Sequence, residues 1–105
     1  MGRGDLSAAS TAFNRALEYD RNSAGALAGL AELHYERGEY HRARTFAQKA
    51  TAAGPKSGRA WLLLGDACFK VLDYDAARSA YRHAAKVGAS AATERLQRLD
   101  KLVGG

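Results

Sequence analysis

The chain has 105 residues, nearly half of them apolar, a formal net charge of +5 and one cysteine. That is material for a single modest core; Ala-rich composition with few Val and Ile and a single Pro favours helices over strands, and a lone Cys68 excludes an internal disulfide. No stretch approaches the roughly 18 apolar residues of a membrane span, and the N-terminus lacks the charged-then-apolar order of a signal peptide, so a cytoplasmic setting without membrane contact is expected.

Apolar and small residues recurring at intervals of three and four predict helices along the whole chain. Residues 5–19 form the first. A second covers 24–37 and ends at Gly38-Glu39, where glycine tolerates the left-handed conformation and Glu39 favours the positive end of the following helix. The third, 40–53, is stopped by Gly54-Pro55. Two more fall between Gly58 and about Val87, separated by Leu72-Asp73, where the expected glycine is missing, and stopped by Gly88-Ala89. The last, 92–103, sets Leu96, Leu99 and Val103 on one face and Glu94, Arg95, Arg98 and Lys101 elsewhere.

Sliding the chain by 34 residues brings like onto like: Leu27 onto Trp61, Leu30 onto Leu64, Ala31 onto Gly65, Tyr35 onto Phe69, Tyr40 onto Tyr74, Ala43 onto Ala77 and Ala50 onto Ala84. The same shift toward the N-terminus sets Leu6 under Tyr40, Ala9 under Ala43 and Ala16 under Ala50. Small residues let helices approach closely, and the rings fill the gaps left between them. Phe46 breaks the register, one place early relative to Tyr81 and Phe13, with Ala47 in the aromatic position; a local repacking is expected there.

Trp61, Leu64, Gly65, Tyr74, Ala77, Tyr81 and Ala84, with Leu27, Leu30, Ala31, Tyr40, Ala43, Ala50 and Pro55 one unit earlier, resemble the tetratricopeptide repeat. The resemblance implies an all-α, right-handed α-solenoid of antiparallel helix pairs within one domain, 1–105. Its parts are a half-repeat holding only a second helix (4–23), full repeats at 24–57 and 58–91, and a C-terminal capping helix (92–103). Asp100, standing beside Leu99 where Gly65 stands beside Leu64, argues against a further repeat on that side. The leading half-repeat leaves Leu6, Phe13 and Leu17 partly short of partners, so the expectation is either upstream repeats, making this the C-terminal part of a longer array, or self-association through that N-terminal edge.

The resemblance further implies that first helices line a concave groove. Helical spacing then selects Ala28, Gly29, Glu32, Tyr35 and Glu36 from one unit and Arg59, Leu62, Leu63, Asp66, Phe69 and Lys70 from the next as a peptide-binding groove. Gly29 is expected either to open a pocket beside Leu62 and Leu63 or to serve helix packing. Carboxylates and rings on one stripe suit a basic amphipathic segment of a partner protein. Some tetratricopeptide domains clamp chaperone C-termini with Lys, Asn and Arg; Glu32 and Asp66 stand where Asn is needed, which disfavours that ligand. Second-helix residues Arg42, Arg44, Lys49, Arg78, Arg82, His83 and Lys86 make the convex side basic. Nucleic acid or another anionic partner is the alternative there, weakened because the aromatics belong to the core and do not accompany a basic track.

Catalysis needs convergent groups, and His34, His41 and His83 lie on different helices. His34 and Cys68 occupy equivalent places one repeat apart, on the order of 10 Å, too far for shared metal ligation. No phosphate-binding glycine loop, nucleophile elbow or zinc spacing occurs. The sequence thus points to a non-catalytic interaction scaffold without metal or cofactor.

Overall fold

A computed structural model describes residues 10–17 and 23–103, and every regular element within them is a helix. In chain order these are α1, of which 10–17 are described, α2 (Ala24–Glu36), α3 (Tyr40–Ala53), α4 (Gly58–Lys70), α5 (Tyr74–Lys86) and α6 (Ala91–Val103). The starts of α2, α4 and α5 are set by short polar side chains. Ser23, Ser57 and Asp73 each accept the backbone N–H three residues on, from Ala26, Ala60 and Ala76, at 3.2 Å in every case. Each such cap satisfies an otherwise orphan donor and contributes about 1 kcal/mol.

Ends are set by one backbone closure used three times. The N–H of Glu39 donates to the carbonyl of His34 (2.8 Å), that of Asp73 to Cys68 and that of Ala89 to Ala84 (both 2.9 Å). The closure requires a left-handed residue just before it, and Gly38 (φ 81°) and Gly88 (φ 90°) supply it. After α4 the same place holds Leu72, at φ 67°. A side chain in that conformation costs about 1–2 kcal/mol, and Leu72 is also 71% exposed. The turn expected without its glycine therefore forms, under strain.

Successive helices pack α2 on α3, α3 on α4, α4 on α5 and α5 on α6, and α2 also touches α4. The core divides accordingly. Leu27, Ala28, Ala50 and Ala60 form one cluster, flanked by Leu17, Phe46 and Leu63. Cys68, Ala77, Tyr81 and Leu99 form the other, flanked by Leu62, Leu64, Phe69, Tyr74 and Leu96. Ala43, Ala47, Ala50, Ala60, Ala67, Ala77 and Ala84 are at most 1% exposed; their small size is what lets neighbouring helix axes come close.

The shifted Phe46 is accommodated by stacking on the His34 ring, with centroids 5.1 Å apart, while Ala47 is fully buried in the position the repeat usually gives to an aromatic. Phe13 is half-buried, and its ring lies where a Cβ on Gly29 would stand, 2.3 Å away. Leu17 packs on the first core cluster. Both have partners in the following unit; Leu6 lies outside the described residues.

Candidate functional site

The first helices of successive pairs, α2, α4 and α6, share one face, and two adjoining clefts open on it. The larger, about 560 Å³, is lined by Glu32, Tyr35, Glu36, Arg59, Leu62, Leu63, Asp66 and Arg95. The smaller, about 260 Å³, is lined by Tyr35, Asp66, Phe69, Lys70, Tyr81, Arg95, Arg98 and Leu99. Tyr35, Asp66 and Arg95 belong to both, so the clefts form one continuous groove. Helical spacing places the α2 and α4 residues there: Glu32, Tyr35 and Glu36 are three and four apart, as are Arg59, Leu62, Leu63, Asp66, Phe69 and Lys70.

Two of the expected groove residues are elsewhere. Ala28, 2% exposed, belongs to the core cluster with Leu27, Ala50 and Ala60. Gly29 is buried as well, and its missing side chain makes room for the Phe13 ring and not for a ligand. Ala28 packs in the cluster with Ala50 of α3 and Ala60 of α4, and Gly29 faces Phe13 of α1.

Two of the three carboxylates lining the groove, Glu32 and Asp66, are already engaged. Arg59 on α4 bonds to Glu32 on α2, and Arg95 Nε on α6 lies 3.2 Å from Asp66 Oδ1 on α4. An acid on one first helix thus meets an arginine on the next, twice. Tyr81 reaches the same Asp66 oxygen from α5, its hydroxyl donating at 2.5 Å, and its ring passes over Gly65, where a Cβ would stand 2.4 Å from it. Burial and the Asp66 carboxylate push the Tyr81 phenol far above its ordinary range, and burial followed by Asp66 raises that of Tyr35. Both remain neutral hydroxyls able to donate.

With Glu32 and Asp66 paired, the charge along the groove is uneven. Exposed Glu36 stands on α2, exposed Lys70 on α4 and exposed Arg98 on α6, while Arg95 is taken up by Asp66. Lys70 Nζ sits 5.6 Å from the Tyr40 ring centroid, Arg98 pairs with Glu94 on the solvent side (3.0 Å), and Arg95 Nη1 is buried without a hydrogen-bond partner. The sequence reading missed Arg95 and Tyr81. The recurrence of an acid facing an arginine on the next first helix, and the pairing of Gly65 with a ring one helix later, were the available signals.

Outside the groove, His34 Nδ1 lies 2.9 Å from Glu39 Oε1. Because an ionised carboxylate only accepts, the imidazole donates, and this bond holds the Glu39 carboxyl below its ordinary range. Cys68 is buried, and burial pushes its thiol up. Among the described residues no three His, Cys, Asp or Glu side chains are grouped so as to hold a metal ion, and no helix is long and apolar enough to cross a membrane.

Helix pairs stacked in this order, with small residues at their crossings and a groove along the first helices, define a helical-repeat protein. A model of the tetratricopeptide repeat matches residues 1–67, and a second such model matches residues 58–87. The chain belongs to the tetratricopeptide repeat family. No curated protein matches its sequence. Among solved structures it is similar to the Sgt2 TPR domain from Aspergillus fumigatus, at 28% identity and TM-score 0.88, over 97% of this chain and 70% of that one. It is also similar to the first TPR of Spaghetti (RPAP3) bound to the HSP90 peptide SRMEEVD, at 15% identity and TM-score 0.89, over 98% and 83%. The Arabidopsis OM64 TPR domain aligns at 22% identity and TM-score 0.84, over 93% and 83%.

Proposed function

We propose that this chain is a non-catalytic scaffold that holds a segment of a partner protein in the groove between α2, α4 and α6. The observation that carries the reading is the groove itself: a continuous channel walled by Tyr35, Leu62, Leu63 and Phe69, with the exposed carboxylate of Glu36 on α2 and exposed cations, Lys70 on α4 and Arg98 on α6, along it. Rings and leucines supply burial, and these charges select register and direction. The ligand that fits is an amphipathic segment with a basic residue over Glu36, an apolar anchor over Leu62 and an acidic group beside Lys70 and Arg98.

This sharpens the expectation of a basic segment, since Glu32 and Asp66 are engaged by Arg59 and Arg95 and, among the groove carboxylates, Glu36 is left outside the ion pairs. The Spaghetti domain is bound to an acidic HSP90 peptide; carboxylates at Glu32 and Asp66 in mid-groove argue against the same ligand here. Self-association through the N-terminal edge draws less support, because Phe13 and Leu17 pack within the chain.

Selection from a displayed random-peptide library, followed by titration of enriched peptides, tests the groove. Enriched peptides should carry base, apolar anchor and acid in that order and lose about tenfold in affinity on Lys70→Glu with Arg98→Glu. Peptides that bind the charge-reversed protein equally well would place recognition elsewhere.

A further inference from the structure

The opposite side of α5 carries a second cleft that the groove reading does not use. It opens between α5 and α6 with a volume of about 510 Å³. Arg78, Arg82 and Lys86 stand along one wall, four residues apart and so about 6 Å from one to the next on a single helical face. Ala85 and the half-buried Leu96 supply apolar surface between the two helices.

The cations are unequally occupied. Arg78 Nη2 bonds to Asp100 at 3.2 Å, while its Nε is buried with no hydrogen-bond partner. Arg82 and Lys86 are exposed and enter none of the ion pairs among the described residues. His83 adjoins them, its Nδ1 2.8 Å from the Ser79 carbonyl and its ring stacked on Trp61 at 4.3 Å. The one acid of the cleft, Asp75, stands at the start of α5. Arg82 and Lys86, beside this apolar surface, lack an acidic counterpart among the described residues.

We infer that the α5–α6 cleft is a second docking surface, for an acidic amphipathic helix of a partner protein. Carboxylates repeated every fourth residue on such a helix match the spacing of Arg78, Arg82 and Lys86, and an apolar residue between them fits against Ala85 and Leu96. Nucleic acid fits less well for two reasons. A phosphate backbone has nothing to bury against Leu96, and sequence-tolerant strand binding uses open aromatic platforms, whereas the Trp61 ring is covered by His83 and its indole N–H is bonded to the Pro55 carbonyl at 2.7 Å. The surface lies on α5 and α6 away from Lys70 and Glu36, so an occupied groove leaves it open and one chain can join two partners.

Trp61 is the only tryptophan, and its stack on His83 makes its fluorescence a local reporter. The test titrates the protein at low salt with a helical peptide bearing Glu at every fourth position and Leu between. A scrambled peptide of identical composition and a single-stranded oligothymidylate serve as comparisons. The patterned peptide should saturate, change Trp61 emission, bind about tenfold more tightly than the scrambled one and lose about tenfold with Arg82→Glu and Lys86→Glu together. The milder Arg82→Gln with Lys86→Gln should lose less, and Lys70→Glu with Arg98→Glu, which weakens groove peptides, should cost this peptide far less than Arg82→Glu with Lys86→Glu. Circular dichroism of each variant verifies an unchanged fold, as expected for exposed side chains. Equal binding of the scrambled peptide, indifference to the Arg82 and Lys86 changes, or tighter binding of the oligothymidylate would overturn the inference.

Discussion

The pairs α2–α3 and α4–α5 follow one repeat yet fill the same crossing in different ways. In α4–α5 the crossing is a glycine under a ring: Gly65 leaves the space, Tyr81 takes it, and the Tyr81 hydroxyl is tethered to Asp66. In α2–α3 the equivalent residues are Ala31 and Ala47, at most 1% exposed, and the ring has moved one place to Phe46, which stacks on His34. One pair is thus locked by a large anchored side chain and the other by close backbone approach. Both crossings are closed to solvent, by different side chains.

The contrast is most sharply broken at Gly65. Gly65→Ala puts a methyl group into a ring that is 4% exposed and held at its hydroxyl, so after allowing for alanine's better helix propensity a loss of about 1–2 kcal/mol is expected in urea denaturation. The matching change Gly29→Ala meets the half-buried Phe13, which can swing outward, and should stay within about 0.5 kcal/mol. Equal losses at both sites would show that Phe13 is as firmly held as Tyr81.

Tyr81→Phe keeps the ring and removes the tether. Loss of a partly buried hydrogen bond to a carboxylate should cost about 1.5 kcal/mol. It should also weaken groove peptides, because Asp66 then keeps only Arg95 to fix it. Spectrophotometric titration sharpens the point: with its phenol pushed up, Tyr81 contributes to stability fully below the ordinary tyrosine range and loses that contribution as pH rises above it. The alkaline unfolding of the wild type should therefore be steeper than that of Tyr81→Phe.

Leu72→Gly relieves left-handed strain of about 1–2 kcal/mol and gives back about 0.5–1 in chain entropy, for a net gain of about 0.5–1 kcal/mol. The corresponding Gly38→Leu should lose a similar amount, which would equalise the two pairs at their turns. The smallest effect belongs to α2–α3. The Glu39 carboxyl is held low by His34, so its contribution is complete above the ordinary glutamate range and disappears as pH falls through that range and below. Glu39→Gln should lower the melting temperature slightly at pH 7 and not at all near pH 3; an equal change at both would show that the His34 contact does not discriminate charge.

The fold was legible because alternating small and large residues recur every 34 positions and the stops between helices fall at residues such as Gly38, Gly54-Pro55 and Gly88. Leu27 and Trp61, or Ala50 and Ala84, announce themselves in pairs. The groove was legible only where periodicity alone decides orientation, as for Leu62, Asp66 and Phe69. Gly29 could not be resolved from its own sequence, since a helical glycine can open a pocket or admit a ring, and which occurs depends on Phe13, sixteen residues earlier on another helix. Arg95 was hidden because α6 departs from strict register: Asp66 stands 34 places after Glu32, but its arginine stands 36 after Arg59. The engagement of Glu32 and Asp66 was likewise invisible, and among the groove carboxylates it leaves Glu36 outside the ion pairs.

The contact between Phe13 and Gly29 bears on how such units can be recombined. By the repeat, Phe13 and Gly29 correspond to Ala47 and Leu63, so bulk lies on the earlier helix at one junction and on the later helix at the next. A chimaera that set the unit beginning at Ala24 behind one ending in Ala47 would leave a void over Gly29, and one that set Gly58 behind Phe13 would drive ring against leucine. Neighbouring repeats are keyed to each other, and their order is part of the fold.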